Sequence, residues 1–243
     1  MRVELQNVSL RFGQVEALRD VSFAAQSGEV TCLLGDNGAG KSSLIRILSG
    51  VHQPTAGSCY IDGGAVRLAT PRAALDRGIA TVHQDLGLIP LLSVWRNFVL
   101  GDEPARGIAP FRFIDAGSAR ESAVHALAEL GIVLRDPDQP VGTMSGGERQ
   151  SLAIARAIHR GARMLILDEP TAALGVKQAG IVLDNVAKAK EKGIGVVLVT
   201  HNPQYAQRAG DQFVVLRQGR VVATCTRADA DVRRLSELMS GAE

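Results

Sequence analysis

Three short stretches hold residue types suited to phosphate chemistry. The first is GDNGAGKS, residues 35–42, which fits the pattern G-x-x-x-x-G-K-[ST]. Gly35, Gly38 and Gly40 let a backbone curl until successive N–H groups point inward at an anion. An apolar run precedes the loop and a helical pattern follows it. The helix would offer the positive end of its dipole to phosphate. Lys41 adds a point charge, and the Ser42 hydroxyl suits Mg²⁺. The whole loop, Gly35, Asp36, Asn37, Gly38, Ala39, Gly40, Lys41 and Ser42, with Ser43 beside it, is expected to hold a nucleoside triphosphate. A glycine-rich turn with an accidental lysine is the plainer alternative, and the strand-and-helix context speaks against it.

The second stretch is MLILDEP, residues 164–170, where an apolar strand runs into two acids. A triphosphate site needs a carboxylate for the water shell of Mg²⁺, and Asp168 at the strand end supplies it. Glu169 is the extra group. A carboxylate beside that metal can polarise a water aimed at the γ-phosphate. The pair argues for hydrolysis over transfer to a metabolite. Two acids capping a following helix would be the bland account. The third stretch is MSGGERQ, residues 144–150. Ser145 with Glu148 three residues on makes a capping box, so a well-capped helix is one reading. The adjacent Gly146 and Gly147 cost helix stability and make sense if a ligand approaches the backbone closely. A second anion-binding helix start suggests two surfaces closing on one nucleotide.

These residues need elements to position them. Residues 1–27 alternate as strands, with a turn near Gly13. Residues 29–35, 57–63 and 78–84 read as short strands, and 41–50 as a helix stopped by Gly50. From 86 to 160 the pattern is helical, clearest over 118–130 and 145–160 and weaker over 91–100. The runs RMLILDE and GIGVVLVTH are apolar throughout, as strands buried in a parallel sheet are. QFVVLRQGRVVATC reads as a hairpin turning at Gln218 and Gly219, and DVRRLSELMSG as a closing helix. Strands alternating with helices predict an α/β fold with a parallel sheet.

Composition removes several classes. Of 243 residues, 46% are hydrophobic but only 4% aromatic, so aliphatic packing dominates the core. A net charge of +2, with no block of five like charges, gives no nucleic-acid surface. Cys32, Cys59 and Cys225 match no metal spacing and read as reduced cysteines of a cytosolic protein. The N-terminus reads as a strand and not as a signal peptide, and no apolar run reaches the ~18 residues that span a bilayer.

In order and spacing, GDNGAGKS, VHQD, MSGGERQ, LILDEP and VTH resemble the ATP-binding cassette ATPases, over nearly the whole chain. The SGGERQ segment just upstream of the DE strand makes the resemblance specific. It implies ATP with Mg²⁺, and a RecA-like P-loop core with a parallel sheet, an N-terminal antiparallel β lobe and an inserted helical lobe. Residues 1–85 and 161–243 would form the core and β lobe, and 86–160 the helical lobe. The cassettes would work as a head-to-tail dimer, with Ser145, Gly146 and Gly147 contacting the γ-phosphate held by the other subunit. The resemblance puts Phe12 where an aromatic stacks on adenine, although a core Phe on a strand stays open. Gln84 falls where a glutamine contacts Mg²⁺ and the attacking water and senses the membrane partner. His201 falls where a histidine steadies the γ-phosphate and that water. The implied catalytic set is Glu169, His201 and Gln84, and the implied metal set Ser42, Gln84 and Asp168. His52, His83, His125 and His159 have no such support and read as structural or exposed.

Within that family the chain looks like the carbohydrate-uptake branch, closest to single-cassette fructose or pentose importers. The partners implied are transmembrane permease subunits, a second cassette (a homodimer or a paired ATPase) and, indirectly, an extracytoplasmic solute-binding protein, with no nucleic acid. The protein would sit at the cytoplasmic face of the inner membrane. A soluble cassette ATPase of the iron–sulfur assembly type is the alternative. One departure stands out. Most cassettes end the turn after the two acids in ALD, and here Gly175 replaces the aspartate.

Overall fold

Alternation along the first 26 residues resolves into β1 (Arg2–Phe12) and β2 (Val15–Gln26), with Val3, Leu5, Val8 and Leu10 turned inward. β4 (Ala56–Ile61) and β5 (Gly64–Val66) join them in an antiparallel sheet of order β2-β1-β4-β5. The computed structural model describes residues 1–107, 111 and 113–241.

The fully apolar runs build a second sheet. Its strands are β3 (Val30–Leu34), β6 (Ile79–Val82), β9 (Met164–Asp168), β10 (Gly195–Thr200), β11 (Gln212–Arg217) and β12 (Arg220–Thr226), in the order β12-β11-β3-β10-β9-β6. All neighbours are parallel except the edge hairpin of β11 and β12. Successive residues of β3, β9 and β10 enter two different cores. Leu165, Leu167, Val196 and Leu198 pack with the helices on one face. Met164, Ile166, Val197 and Val199 pack against the antiparallel sheet on the other. A sheet covered on both faces needs continuous rather than alternating hydrophobicity.

The helices are α1 (Lys41–Leu48), α2 (Pro71–Leu75), α3 (Val94–Val99), α4 (Ala116–Glu129), α5 (Gly146–His159), α6 (Val176–Glu191), α7 (Pro203–Ala209) and α8 (Val232–Ser240). The three helices expected between 86 and 160 are present as α3, α4 and α5. That stretch is not helical throughout. It also holds a small hairpin, β7 (Ala105–Arg106) with β8 (Phe113–Ile114), and residues 108–110 and 112 lie outside the described residues. Helices α2, α6 and α7 and strand β5 are not among the elements the sequence reading expects. The buried face of α6, Ala179, Val182, Leu183, Val186 and Ala189, has helical spacing but begins and ends on alanine and includes the polar Asn185.

Parallel register decides where the site lies. Leu34 pairs with Thr200, Asp168 with Val199, and Val82 with Leu167. Gly35, His83, Glu169 and His201 therefore all leave the same edge of the sheet, the carboxyl ends of four adjacent strands. That edge is where open α/β sheets bind ligands.

Candidate functional site

The loop after β3 is shaped by what crowds it. Gly35 has φ of 148°, and a Cβ there would collide with the carbonyl of Leu216. Gly40, at φ of 108°, caps α1 without any side-chain acceptor. The first turn of α1 has no acid either, so its N–H groups remain for an anion. Lys41 is 7% exposed and folds back, donating to the carbonyls of Gly35 at 2.6 Å and Asp36 at 3.2 Å. The turn at Gln218 and Gly219 braces the loop: Gly219 N donates to Ala39 O at 2.9 Å, and Arg19 N to Gly219 O at 2.7 Å.

A pocket of about 590 Å³ opens over this loop. Residues 36–43, Gln84, Asp168 and Glu169 line it, together with Val15, Glu16, Arg19, Gln218 and Gly219. The chain thus brings the phosphate loop, both acids and Gln84 to one cavity. Glu169 leaves β9 at φ of 49°, a left-handed conformation, with its N–H donated to Val199 O at 3.0 Å. Its carboxylate lies 3.0 Å from Nδ1 of His201 and 3.8 Å from Lys41 Nζ. Burial raises the Asp168 carboxyl above the usual aspartate range; the neighbouring His83 opposes the rise and Glu169 adds to it.

The other expected residues lie elsewhere. Phe12 is not among the residues lining the pocket. It is 44% exposed, with its ring edge-on to His52 at 5.2 Å, while Val15 of the same hairpin does line the pocket. Ser145, Gly146 and Gly147 begin α5 and line no part of this pocket. Gly146 lines a neighbouring cleft of about 500 Å³, which also holds Gln84 and Glu169. The capping box is complete: Ser145 Oγ accepts from Glu148 N, and Glu148 accepts from Ser145 N at 2.7 Å.

The structure gives the two glycines a reason inside the chain. A Cβ on Gly146 would stand 2.6 Å from Leu174 Cδ2, and one on Gly147 would stand 3.3 Å from Gln178 Cβ and its carbonyl oxygen. The start of α5 thus lies close to Leu174 and to Gln178 of α6, and a side chain at either glycine would make one of them shift. Gly175 is the opposite case. Its φ is −68°, and nothing lies within 4 Å of a Cβ built on it.

Several site residues are invisible to motif reading. Glu16, Arg19 and Gln218 reach the pocket only because β2 and the β11–β12 turn fold over it. The loop after Gln84 is held by fully buried Asn97, which accepts from Ile89 N at 2.7 Å and donates to Ile89 O at 3.0 Å. Arg156 of α5 adds hydrogen bonds to Leu86 O at 3.1 Å and Asn97 O at 3.3 Å. The segment that carries Gln84 is thereby tied to the helix that begins at Gly146.

A divalent cation fits the donor set. Ser42, Gln84 and Asp168 present oxygens to one pocket, and no cluster of three or more His, Cys, Asp or Glu forms a cage among the described residues. Mg²⁺ typically takes one or two protein oxygens and completes its shell with substrate phosphates and water.

Comparison with known proteins agrees with this chemistry. A family model described as "ABC transporter" matches residues 18–172. The chain is 39% identical to the xylose/arabinose import ATP-binding protein of Sulfolobus acidocaldarius, over 98% of this chain and 93% of that protein. It is 37% identical to the fructose import ATP-binding protein of Rhizobium meliloti, over 96% and 91%. It is 40% identical to a ribose import ATP-binding protein of Chromobacterium violaceum, but spans only 48% of that longer protein. Among solved structures, a nucleotide-free ATP-binding cassette from an ABC transporter superposes with a TM-score of 0.82 at 25% identity, over 93% of this chain and 92% of that one. A dimeric cassette bound to ADP and phosphate in a post-hydrolysis state gives 0.75 at 28%, over 93% and 98%.

Proposed function

We propose, from the premise that the chain belongs to the ABC transporter family, that it is the ATP-hydrolysing subunit of an importer whose cargo is a monosaccharide. The observation that carries this reading is the near full-length similarity to two import ATP-binding proteins of the same size, one named for xylose and arabinose and one for fructose. The protein is an ATPase of the α/β cassette fold. Among the described residues no helix is long and apolar enough to cross a membrane. In this reading a membrane permease supplies the path, with the cassette at its cytoplasmic face.

In this reading the residues share the work as follows. The N–H groups of the loop from Gly35 to Ser43 and the start of α1 take the phosphates, and Lys41 leaves its loop carbonyls for them. Ser42, Gln84 and Asp168 would hold Mg²⁺, which would supply positive charge against the phosphates. Glu169 accepts a proton from the attacking water, and His201, in contact with Glu169, fixes the carboxylate in place. Ser145, Gly146 and Gly147 cover the nucleotide of a second cassette. Phe12 would have to turn from His52 to meet the adenine. Residues 86–160 act as the helical lobe, and 1–85 with 161–243 as the core and β lobe. ATP drives transport only if it favours the closed pair over the open one. The second cassette is a copy of this chain or a paired ATPase, and a solute-binding protein delivers cargo on the far side.

The test is reconstitution in liposomes with the membrane subunits that co-purify with it. The ATPase should be stimulated by a sugar-loaded binding protein and not by the empty one. ATP hydrolysis indifferent to permease, membrane and sugar would refute the importer reading.

A further inference from the structure

At the opposite edge of the six-stranded sheet from the nucleotide pocket lies a second concave site, a cleft of about 570 Å³. Four arginines line it, Arg72, Arg77, Arg160 and Arg163, against two acids, Asp76 and Asp102. Asp62, beside Arg163, and Glu103, on which Arg160 acts, stand next to the lining, so the nearby acids number four as well. Arg72 is spent on Asp76 at 2.9 Å, and Arg163 is only loosely paired, 3.7 Å from Asp62. Among the described residues Arg77 and Arg160 have no carboxylate within 4.0 Å, although Arg160 still acts on the nearby Glu103 carboxylate.

Two of the guanidinium groups are held in place by hydrogen bonds to the chain itself, and the stem of a third is packed. Arg77 Nη1 donates to Ala73 O at 3.1 Å, and Arg160 Nη2 donates to Leu100 O. The stem of Arg163 lies over Gly78, where a Cβ would meet its Cβ, Cγ and Cδ at 3.2 Å each. A guanidinium carries five N–H donors. Anchoring one of them leaves a planar fork that matches phosphate oxygens, with little side-chain freedom left to lose. Ile61, Val66 and Leu75 supply an apolar wall to the same cleft. The volume lies within the range of about 300–1,000 Å³ usual for small-molecule sites.

We infer that this cleft binds a phosphorylated small metabolite, an organic phosphate ester whose phosphate takes Arg77, Arg160 and Arg163 and whose carbon body rests on the apolar wall. The placement gives such a ligand leverage. Arg77 and Arg163 precede β6 and β9 of the core sheet, Arg160 ends α5, and Ile61 belongs to the antiparallel sheet. An ester bridging Arg160 to the other two fixes the helical segment against the core. Under the proposed function α5 moves against the core as two cassettes close, and occupancy and closure are then coupled in both directions.

The experiment is calorimetric titration of glucose 6-phosphate into the full chain with its phosphate loop saturated by ADP, and free glucose as control. The ester should bind saturably and glucose should not. Arg77→Gln with Arg163→Gln, both exposed positions, should weaken the ester at least about tenfold, or ~1.4 kcal/mol, while thermal melting is unchanged. Arg160→Gln alone should weaken it as well if the ester bridges the two parts. No saturable heat from the ester overturns the site. Equal affinity in the arginine variants, or equal binding of glucose, overturns it too.

Discussion

Glu169 Oε2 stands 3.0 Å from Nδ1 of His201, while the other carboxylate oxygen faces Lys41 Nζ at 3.8 Å. One side chain therefore spans the space between the phosphate loop and the end of β10. Lys41 is also bonded to two carbonyls of its own loop. A bound triphosphate gives Lys41 a stronger partner and leaves Glu169 to His201 and to water. The isosteric change Glu169→Gln keeps the contact with His201 but cannot take a proton. Hydrolysis should fall by about 10²–10⁴-fold, the usual worth of a general base. ATP binding should persist, and the variant should run as a trapped dimer in size-exclusion chromatography with ATP. Phosphate release at the wild-type rate would show that Glu169 is not the base.

Asp168 gives a pH prediction. Its carboxyl is raised mainly by burial. An acid raised in the folded state binds its proton more tightly folded than unfolded, so its ionised form costs stability. That cost is complete above the raised value, shrinks as pH falls, and is gone below the unfolded aspartate value of about 3.9. Asp168→Asn should therefore raise the Tm of the nucleotide-free protein at pH 7, with the gain vanishing near pH 4. Mg²⁺ should also no longer add to the thermal shift given by ATP. A Tm gain equal at both pH values would mean that burial of the charge is not the cause.

What the sequence discloses depends on how local each requirement is. The loop at Gly35 and the pair Asp168–Glu169 are legible because a few consecutive residues do the chemistry. The carboxyl-edge location is legible too, since continuous apolar runs announce a parallel sheet. Arg19, Gln218 and Asn97 are not legible, because strand order and loop closure alone bring them to the site. Helix α6 escapes notice because its buried face mixes two alanines and the polar Asn185 with Val182, Leu183 and Val186, which weakens the periodic signal. For Gly146 and Gly147 sequence and structure offer different reasons. The sequence suggests close approach of a ligand, and the structure adds close approach of α6.

That second reason is testable at Gly146. Its added methyl would face Leu174 at 2.6 Å, which overpacks the junction of α5 with α6. Gly146→Ala should destabilise the nucleotide-free protein by about 1–3 kcal/mol in urea unfolding. Leu174→Ala removes the obstructing branch, so in the double variant the two effects should not add, with an interaction energy of about 0.5–3 kcal/mol. A neutral Gly146→Ala variant that loses only ATPase would leave ligand approach as the sole reason for the glycine.

Gly175 raises the converse question, why glycine stands where nothing demands it. It is the N-cap of α6, with φ of −68° and ψ of 161°, and no side chain accepts from the first turn. These are the angles at which Asp, Ser or Asn caps a helix, and the space beside its Cα is empty. Backbone freedom is not what the position uses. Gly175→Asp should place a carboxylate at the N-terminus of a 16-residue helix, adding a few tenths to about 1 kcal/mol of stability. In family members the aspartate at this turn reaches across to the second cassette. The same variant should thus also change the cooperativity of ATP hydrolysis, read as the Hill coefficient against ATP concentration. A more stable variant with an unchanged Hill coefficient would confine Asp at 175 to helix capping.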